Sequence, residues 1–139
     1  MKKKKKYKIE IEEPLDFEIL GLCSHAKLYK LCWEINRELK TNFEKTKNHI
    51  TKTNNILGFE RYRHSSEDSS TILNIISNMS KNGYLEPNNK KVNYFFLIQG
   101  GIYDKKEIME SLSKIEEVLL VFEVNLSKIK SITPFIIYD

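Results

Sequence analysis

The feature that most constrains the fold is a pair of continuous apolar runs in the last third of the chain, at 94–98 and 118–124. Runs that are apolar at nearly every position are typical of strands buried on both faces of a sheet. Between the two runs, Asp104 predicts a helix N-cap, and apolar residues follow it at helical spacing. This order of strand, helix and strand predicts a C-terminal β-α-β unit whose two strands run parallel.

Another helix is predicted earlier in the chain, from Ser24 to Lys40. Ser24 is a residue type that commonly caps a helix N-terminus. Apolar residues then follow at spacings of three and four, which indicates one face turned towards a core. These residues are Leu28, Leu31, Cys32, Ile35 and Leu39.

Strand patterns account for most of the remaining chain. Residues 7–11 and 56–63 alternate between apolar and polar side chains, as in strands with one wet face. Residues 17–22 and 71–77 predict two further strands, and 131–139 predicts a short edge strand.

These elements together predict a single α+β domain over 7–139. Its sheet is expected to be mixed and mostly antiparallel, with about five to seven strands and two helices packed on it. Residues 41–55 are rich in Lys, Thr and Asn, which predicts a loop that holds one short strand at most. A chain of 139 residues is long enough for one hydrophobic core and short for two.

The positive charge of the chain is concentrated at its start. The formal net charge is +4, and Lys2 to Lys6 supply five positive charges, so the remaining residues carry one negative charge in excess. Blocks of like charge are typical of disordered arms, some of which contact nucleic acid or anionic lipid. We therefore predict a basic disordered tail at 1–6 in front of a nearly neutral domain.

Localisation follows from what surrounds this tail. The charged residues at 8–13 stand where a secretory signal would have its apolar core. No apolar run approaches the roughly 20 residues of a membrane-spanning helix. Cys23 and Cys32 lack a Cys-x-x-Cys spacing and suit free thiols in a reducing cytoplasm. The sequence thus predicts a cytoplasmic protein without a membrane partner.

The residues around the first apolar run resemble a named signature. Pro87, Val92 and Tyr94 match the signature of the bacterial IPExxxVDY family, whereas Asn88 replaces its Glu and Asn93 replaces its Asp. The resemblance implies a small bacterial cytoplasmic protein with that family's fold and without an assigned activity. The uncharged Asn93 favours a structural cap over a metal-binding or catalytic acid at that position.

Catalytic and metal-binding patterns are weak in this chain. Cys23, His25 and Cys32 lack the tight ligand pairs of structural zinc sites, and Cys32 falls on the apolar face of the first predicted helix. The carboxylates Glu67 and Asp68 stand in a polar turn, where water keeps them ionised. We therefore predict no catalytic residue, no metal and no cofactor, and we favour a non-catalytic protein over an enzyme.

The first predicted helix has a second face that carries Tyr29, Trp33 and Lys40, with Arg37 close by. Aromatic residues beside basic ones are enriched at protein interfaces and on base-stacking surfaces. The alternative is that Tyr29 and Trp33 widen the core of a small domain. We hypothesise a protein-binding module that uses these four residues to bind another protein, with a second copy of the chain among the candidate partners.

RNA association is the alternative function. It would use the lysine tail together with basic residues between positions 40 and 63. These residues are Lys40, Lys45, Lys47, Lys52, Arg61 and Arg63. One continuous basic stripe would favour RNA, whereas scattered basic residues would favour a protein partner.

Overall fold

A computed structural model describes residues 17–52, 56–66, 71–81, 83–100, 103–126 and 133–137. The predictions of a basic tail at 1–6 and of a strand at 7–11 lie outside these residues.

Two helices and a six-stranded sheet form the described part of the chain, which confirms the α+β class. The helices are α1 (Leu28–Leu39) and α2 (Lys105–Ser113). The strands are β1 (Phe17–Ser24), β2 (Glu44–Lys52), β3 (Ile56–Ser65), β4 (Ile72–Ser77), β5 (Met79–Ser80), β6 (Gly83–Tyr84), β7 (Tyr94–Gln99) and β8 (Val118–Glu123). The main sheet has the order β2-β3-β4-β7-β1-β8, and β5 pairs with β6 as a separate small hairpin.

The C-terminal unit is a β-α-β arrangement with a third strand inserted between its two strands. Both β7 and β8 pair with β1, and both pairings are antiparallel. The two strands therefore run parallel to each other, as the sequence predicted, but they are not neighbours. Asp104 caps α2 as predicted, because its Oδ1 accepts the backbone N–H of Glu107 at 3.2 Å.

Hydrophobic side chains cover both faces of the sheet. On the helical face, Phe96 of β7 packs edge-on against Phe43, with ring centroids 5.8 Å apart. On the opposite face, Phe95 packs edge-on against Phe135 with centroids 5.0 Å apart. The prediction that 94–98 is buried on both sides is confirmed, because all five residues are buried.

The strand β8 differs from this expectation. It lies at the edge of the sheet, and Leu119 and Leu120 are 60% and 54% exposed. The prediction that 118–124 is buried on both faces is therefore wrong. An apolar run indicates that a strand can be buried, but it does not show how many neighbouring strands the fold provides.

Other element boundaries also differ from the sequence expectations. Ser24 is the last residue of β1, so α1 begins at Leu28 after Lys27, which makes no side-chain cap. The expected loop at 41–55 contains the nine-residue strand β2. Its pattern was weak because an edge strand buries few side chains. The edge strand expected at 131–139 is instead, where described, a 3-10 turn at Thr133–Phe135.

The segment from Pro87 to Tyr94 leads from β6 into β7 and is hydrogen-bonded to the end of β1. The amide oxygen of Asn93 accepts the backbone N–H of Ser24 at 2.8 Å, and the Asn93 N–H donates to the carbonyl of Leu22 at 3.0 Å. Tyr94 donates its hydroxyl to the carbonyl of Ala26 just before α1. The segment therefore fixes the point where the chain leaves the sheet and enters the helix.

This geometry predicts that two substitutions of Asn93 differ in their effect on stability. Asn93→Asp should be nearly neutral, because a carboxylate oxygen can accept the same hydrogen bond from Ser24. Asn93→Ala should lower the free energy of unfolding by about 1 kcal/mol, because the Ser24 N–H loses its acceptor. Urea denaturation of both variants measures the difference. An Asn93→Ala variant as stable as the parent would show that this contact does not contribute.

Candidate functional site

The exposed face of α1 holds the four residues expected to bind a partner. Tyr29 is 66% exposed and Trp33 is 59% exposed. They do not widen the core, because its α1 contribution comes from Leu28, Leu31, Cys32 and Ile35. We call Tyr29, Trp33, Arg37 and Lys40 the α1 patch.

Arg37 and Trp33 contact each other within the α1 patch. The guanidinium carbon of Arg37 lies 4.9 Å from the centroid of the Trp33 ring, within the range of a cation–π interaction. Arg37 Nη1 also lies 3.5 Å from the carboxylate of Glu34, one turn earlier. These two contacts hold the indole and the guanidinium together on the solvent side of the helix.

Lys40 ends α1 and has a left-handed backbone conformation, with φ 58° and ψ 43°. The turn that follows Lys40 is held by Asn36, whose Oδ1 accepts the N–H of Phe43 at 2.7 Å and the hydroxyl of Thr41 at 2.9 Å. Its Nδ2 donates to the carbonyl of Phe43 at 3.2 Å. Asn36 therefore positions Lys40 and the entry into β2. The sequence around Asn36 did not indicate this role.

A shallow groove of about 610 Å³ runs beside the α1 patch, between α1 and the chain that follows α2. Arg37 and Lys40 line it from α1, and the opposite wall includes Lys114 and Glu117. The Glu117 carboxylate lies 3.3 Å from Lys30 Nζ. The groove thus has mixed charge, and the aromatic residues of the patch are not part of its lining.

Part of the basic set of the RNA hypothesis comes together in the structure. Lys40, Lys45 and Arg63 line one cleft of about 540 Å³ at the ends of β2 and β3. Lys45 is already engaged there, because its Nζ lies 3.6 Å from the Glu60 carboxylate and 5.7 Å from the Tyr62 ring centroid.

Among the other basic residues that the structure describes, Arg61 does not extend this cleft. Lys47 is exposed on β2, and the side chain of Lys52 lies outside the described part of the chain. Arg61 is 1% exposed. Its Nη1 donates to the side-chain oxygen of Asn74 at 2.8 Å, and its Nε donates to the carbonyl of Lys47 at 3.3 Å. A guanidinium in this position is not available to a phosphate on the surface.

A signal for the buried Arg61 was present in the strand alternation. Phe59, Arg61 and Arg63 share one face of β3, and Phe59 is a core residue. Asn74 likewise interrupts an apolar strand, β4. A basic residue two positions from a core aromatic residue lies on the same face of the strand. When a polar residue stands on the neighbouring strand, this pattern indicates an internal hydrogen bond rather than a surface charge.

The shifted titratable groups point to structural roles. Burial raises the pKa of the Cys32 thiol, with a smaller contribution from the negative charge of Glu60, so the thiol stays protonated and unreactive. Burial also raises the pKa values of Tyr62 and Tyr94. Hydrogen bonds from Lys105 and then Tyr103 lower the pKa of Glu18. Cys23 and Cys32 are both free thiols.

Metal-binding geometry is not found in the described ranges, where no three His, Cys, Asp or Glu side chains come together as ligands. Within those same ranges, no helix has both the length and the apolar character needed to cross a membrane. Comparison with protein-family models, curated proteins and solved structures finds no match to this chain.

Proposed function

We propose that this chain is a non-catalytic protein-binding module that binds its partner through the α1 patch. The observation that supports this most directly is the exposed indole of Trp33 with the Arg37 guanidinium stacked on it and Tyr29 one turn away. Trp, Tyr and Arg are the residue types that most often dominate the energy of protein interfaces.

Binding through the α1 patch is expected to gain more hydrophobic free energy than it costs in side-chain entropy. Covering two aromatic side chains removes a large apolar area from water. Aromatic side chains lose little rotamer entropy when they are immobilised, since they have only two side-chain torsions. Arg37 is held in advance by Trp33 and Glu34, so its ordering contributes little further cost.

The charges of the α1 patch indicate the chemistry of the partner. Arg37 and Lys40 contribute two positive charges next to the exposed aromatics. A complementary partner presents an apolar anchor flanked by carboxylates, because opposite charges across an interface increase both specificity and association rate.

Affinity capture from the native cytoplasm, with and without nuclease, tests this proposal. The parent chain should capture a protein in a manner that nuclease treatment does not change, and Trp33→Ala should lose it. Met79→Ala is the matched control, because Met79 is another exposed apolar residue outside the α1 patch. Retention of the same partner by Trp33→Ala would contradict the proposal.

A titration with the purified partner gives the direct measurement. Trp33 is the only tryptophan in the chain, so a change in its fluorescence reports on the α1 patch itself. Arg37→Glu should weaken binding by at least about 10-fold, because it places a negative charge opposite the partner's carboxylates. Binding by Arg37→Glu that equals the parent would exclude an acidic partner.

RNA association is a second candidate, favoured by the shared cleft of Lys40, Lys45 and Arg63. A double substitution of Lys45 and Arg63 by Ala should then weaken binding of single-stranded RNA and reduce its salt dependence. Trp33→Ala separates the two candidates, because that residue does not line the cleft.

We also propose membership of the IPExxxVDY family and a bacterial cytoplasmic location. The observed contact of Asn93 supports the family assignment, because the Asp of the signature could accept the same hydrogen bond from Ser24. The two free thiols support a reducing compartment.

A further inference from the structure

The cleft at the ends of β2 and β3 takes its basic residues from three parts of the fold. Lys40 comes from the end of α1, Lys45 from β2, and Arg63 and His64 from β3. The turn held by Asn36 fixes the position of Lys40, and the antiparallel pairing of β2 with β3 fixes the backbone of the other three. The cleft volume of about 540 Å³ falls within the range of small-molecule sites.

The hydrogen bond of His64 determines which of its ring nitrogens can donate. Its Nδ1 accepts the backbone N–H of Asn42 at 3.0 Å, so in the neutral ring the proton resides on Nε2. The ring also lies against Phe43, with ring centroids 5.8 Å apart. These two contacts hold the imidazole at the wall of the cleft, with Nε2 as its hydrogen-bond donor.

The described lining of the cleft is positive. Lys40, Lys45 and Arg63 contribute three positive charges and Glu44 contributes one negative charge, which leaves an excess of two. Glu44 stands opposite Arg63 in the strand register and offsets part of its charge. The ion pair of Lys45 with Glu60 joins two side chains that are each more than half exposed. Such a pair contributes little to stability, so a ligand can replace it.

We propose that this cleft binds a phosphate monoester carried by a small molecule. A phosphate monoester has a charge of about −2 at neutral pH, which matches the excess charge of the lining. Arg63 supplies paired N–H donors for two phosphate oxygens, and Nε2 of His64 supplies a donor for a third. The hydroxyl groups of Thr46 and Ser65 line the same cleft and can donate as well.

A monoester suits this lining better than an RNA backbone does. Each backbone phosphate is a diester with one negative charge, and a bound strand contacts several phosphates in succession. Arg61 shares a face of β3 with Arg63, but it is buried and does not extend the cleft. The proposal does not rest on the α1 patch, because the two sites share Lys40 whereas Trp33 and Tyr29 do not line the cleft.

NMR titration of the full chain with uridine monophosphate tests the proposal, and unphosphorylated uridine is the matched ligand control. The nucleotide should shift the backbone amide signals of 63–65, and uridine should leave them in place. Arg63→Ala should raise the dissociation constant of the nucleotide at least about 10-fold, because it removes charge-assisted hydrogen bonds. Arg37→Ala is the matched control, since it removes the same charge from an exposed arginine outside the cleft.

His64→Asn tests the donor role of Nε2 separately from the turn. The asparagine oxygen can still accept the Asn42 N–H in place of Nδ1, but the donor on the Nε2 side is lost. This variant should keep the fold and bind the nucleotide at least about 3-fold more weakly. Trp33→Ala should leave nucleotide binding unchanged, which separates this site from the α1 patch.

Three results would overturn the proposal. The first is a parent chain whose amide signals do not respond to uridine monophosphate at millimolar concentration. The second is nucleotide binding that Arg63→Ala leaves unchanged. The third is a parent chain that binds an oligouridylate but not the nucleotide, which is the outcome expected if the cleft follows an RNA backbone.

Discussion

Phe96→Ala is expected to lower the free energy of unfolding by about 3–5 kcal/mol. Phe96 is fully buried at the centre of β7, opposite Ile75 of β4 on one side and Leu20 of β1 on the other. Its ring packs edge-on against Phe43, which anchors the turn between α1 and β2. Removing the ring leaves a cavity in the core on the helical face, and the paired strands on both sides limit its collapse.

Urea denaturation with Leu120→Ala as a control measures this effect. Leu120 lies in a similarly apolar run but is more than half exposed, so its truncation should lower stability by no more than about 1 kcal/mol. Equal losses for both variants would mean that β8 is as buried as β7 within a single chain.

The contrast between β7 and β8 shows what the apolar pattern can predict. Both runs correctly indicated strands, and the helix between them was correctly placed by Asp104 and the apolar spacing. The number of neighbours was not predictable, because it depends on where β1 inserts. That insertion is a long-range pairing, and nothing local to either run encodes it.

Which residues of the candidate sites are exposed was predictable from the sequence only in part. Helical spacing separated Tyr29 and Trp33 from the core stripe, and their exposure agrees with that separation. Arg61 was placed with the surface charges because its residue type usually stays in water. Its burial depends on Asn74 of the neighbouring strand, which becomes a partner only after β3 and β4 pair.

Asn78 is a further residue whose role the sequence did not indicate. It follows β4 and is fully buried. Both its backbone and its side chain form hydrogen bonds. Its Nδ2 donates to the carbonyls of Asn89 and Val92 at 3.0 and 2.8 Å, and its Oδ1 accepts the N–H of Glu86 at 2.8 Å. One amide therefore holds the whole turn that leads from β6 into β7.

Asn78→Ala is expected to lower the free energy of unfolding by about 2–4 kcal/mol, because it leaves buried backbone groups without partners. Asn88→Ala is the matched control: the same residue type lies exposed on the same turn, and its loss should change stability by less than about 0.5 kcal/mol. Thermal and urea unfolding of the two variants measure the difference.

Asn78→Asp separates the hydrogen-bonding role from simple packing. The substitution keeps the side-chain shape and the acceptor for Glu86, but it turns an oxygen towards the two carbonyls that the amide nitrogen now serves. Facing lone pairs repel, so at neutral pH Asn78→Asp should be at least as destabilising as Asn78→Ala. A stable Asn78→Asp variant would show that shape, and not donation from Nδ2, maintains the turn. A destabilised one would show that the entry into the central strand depends on a single buried amide.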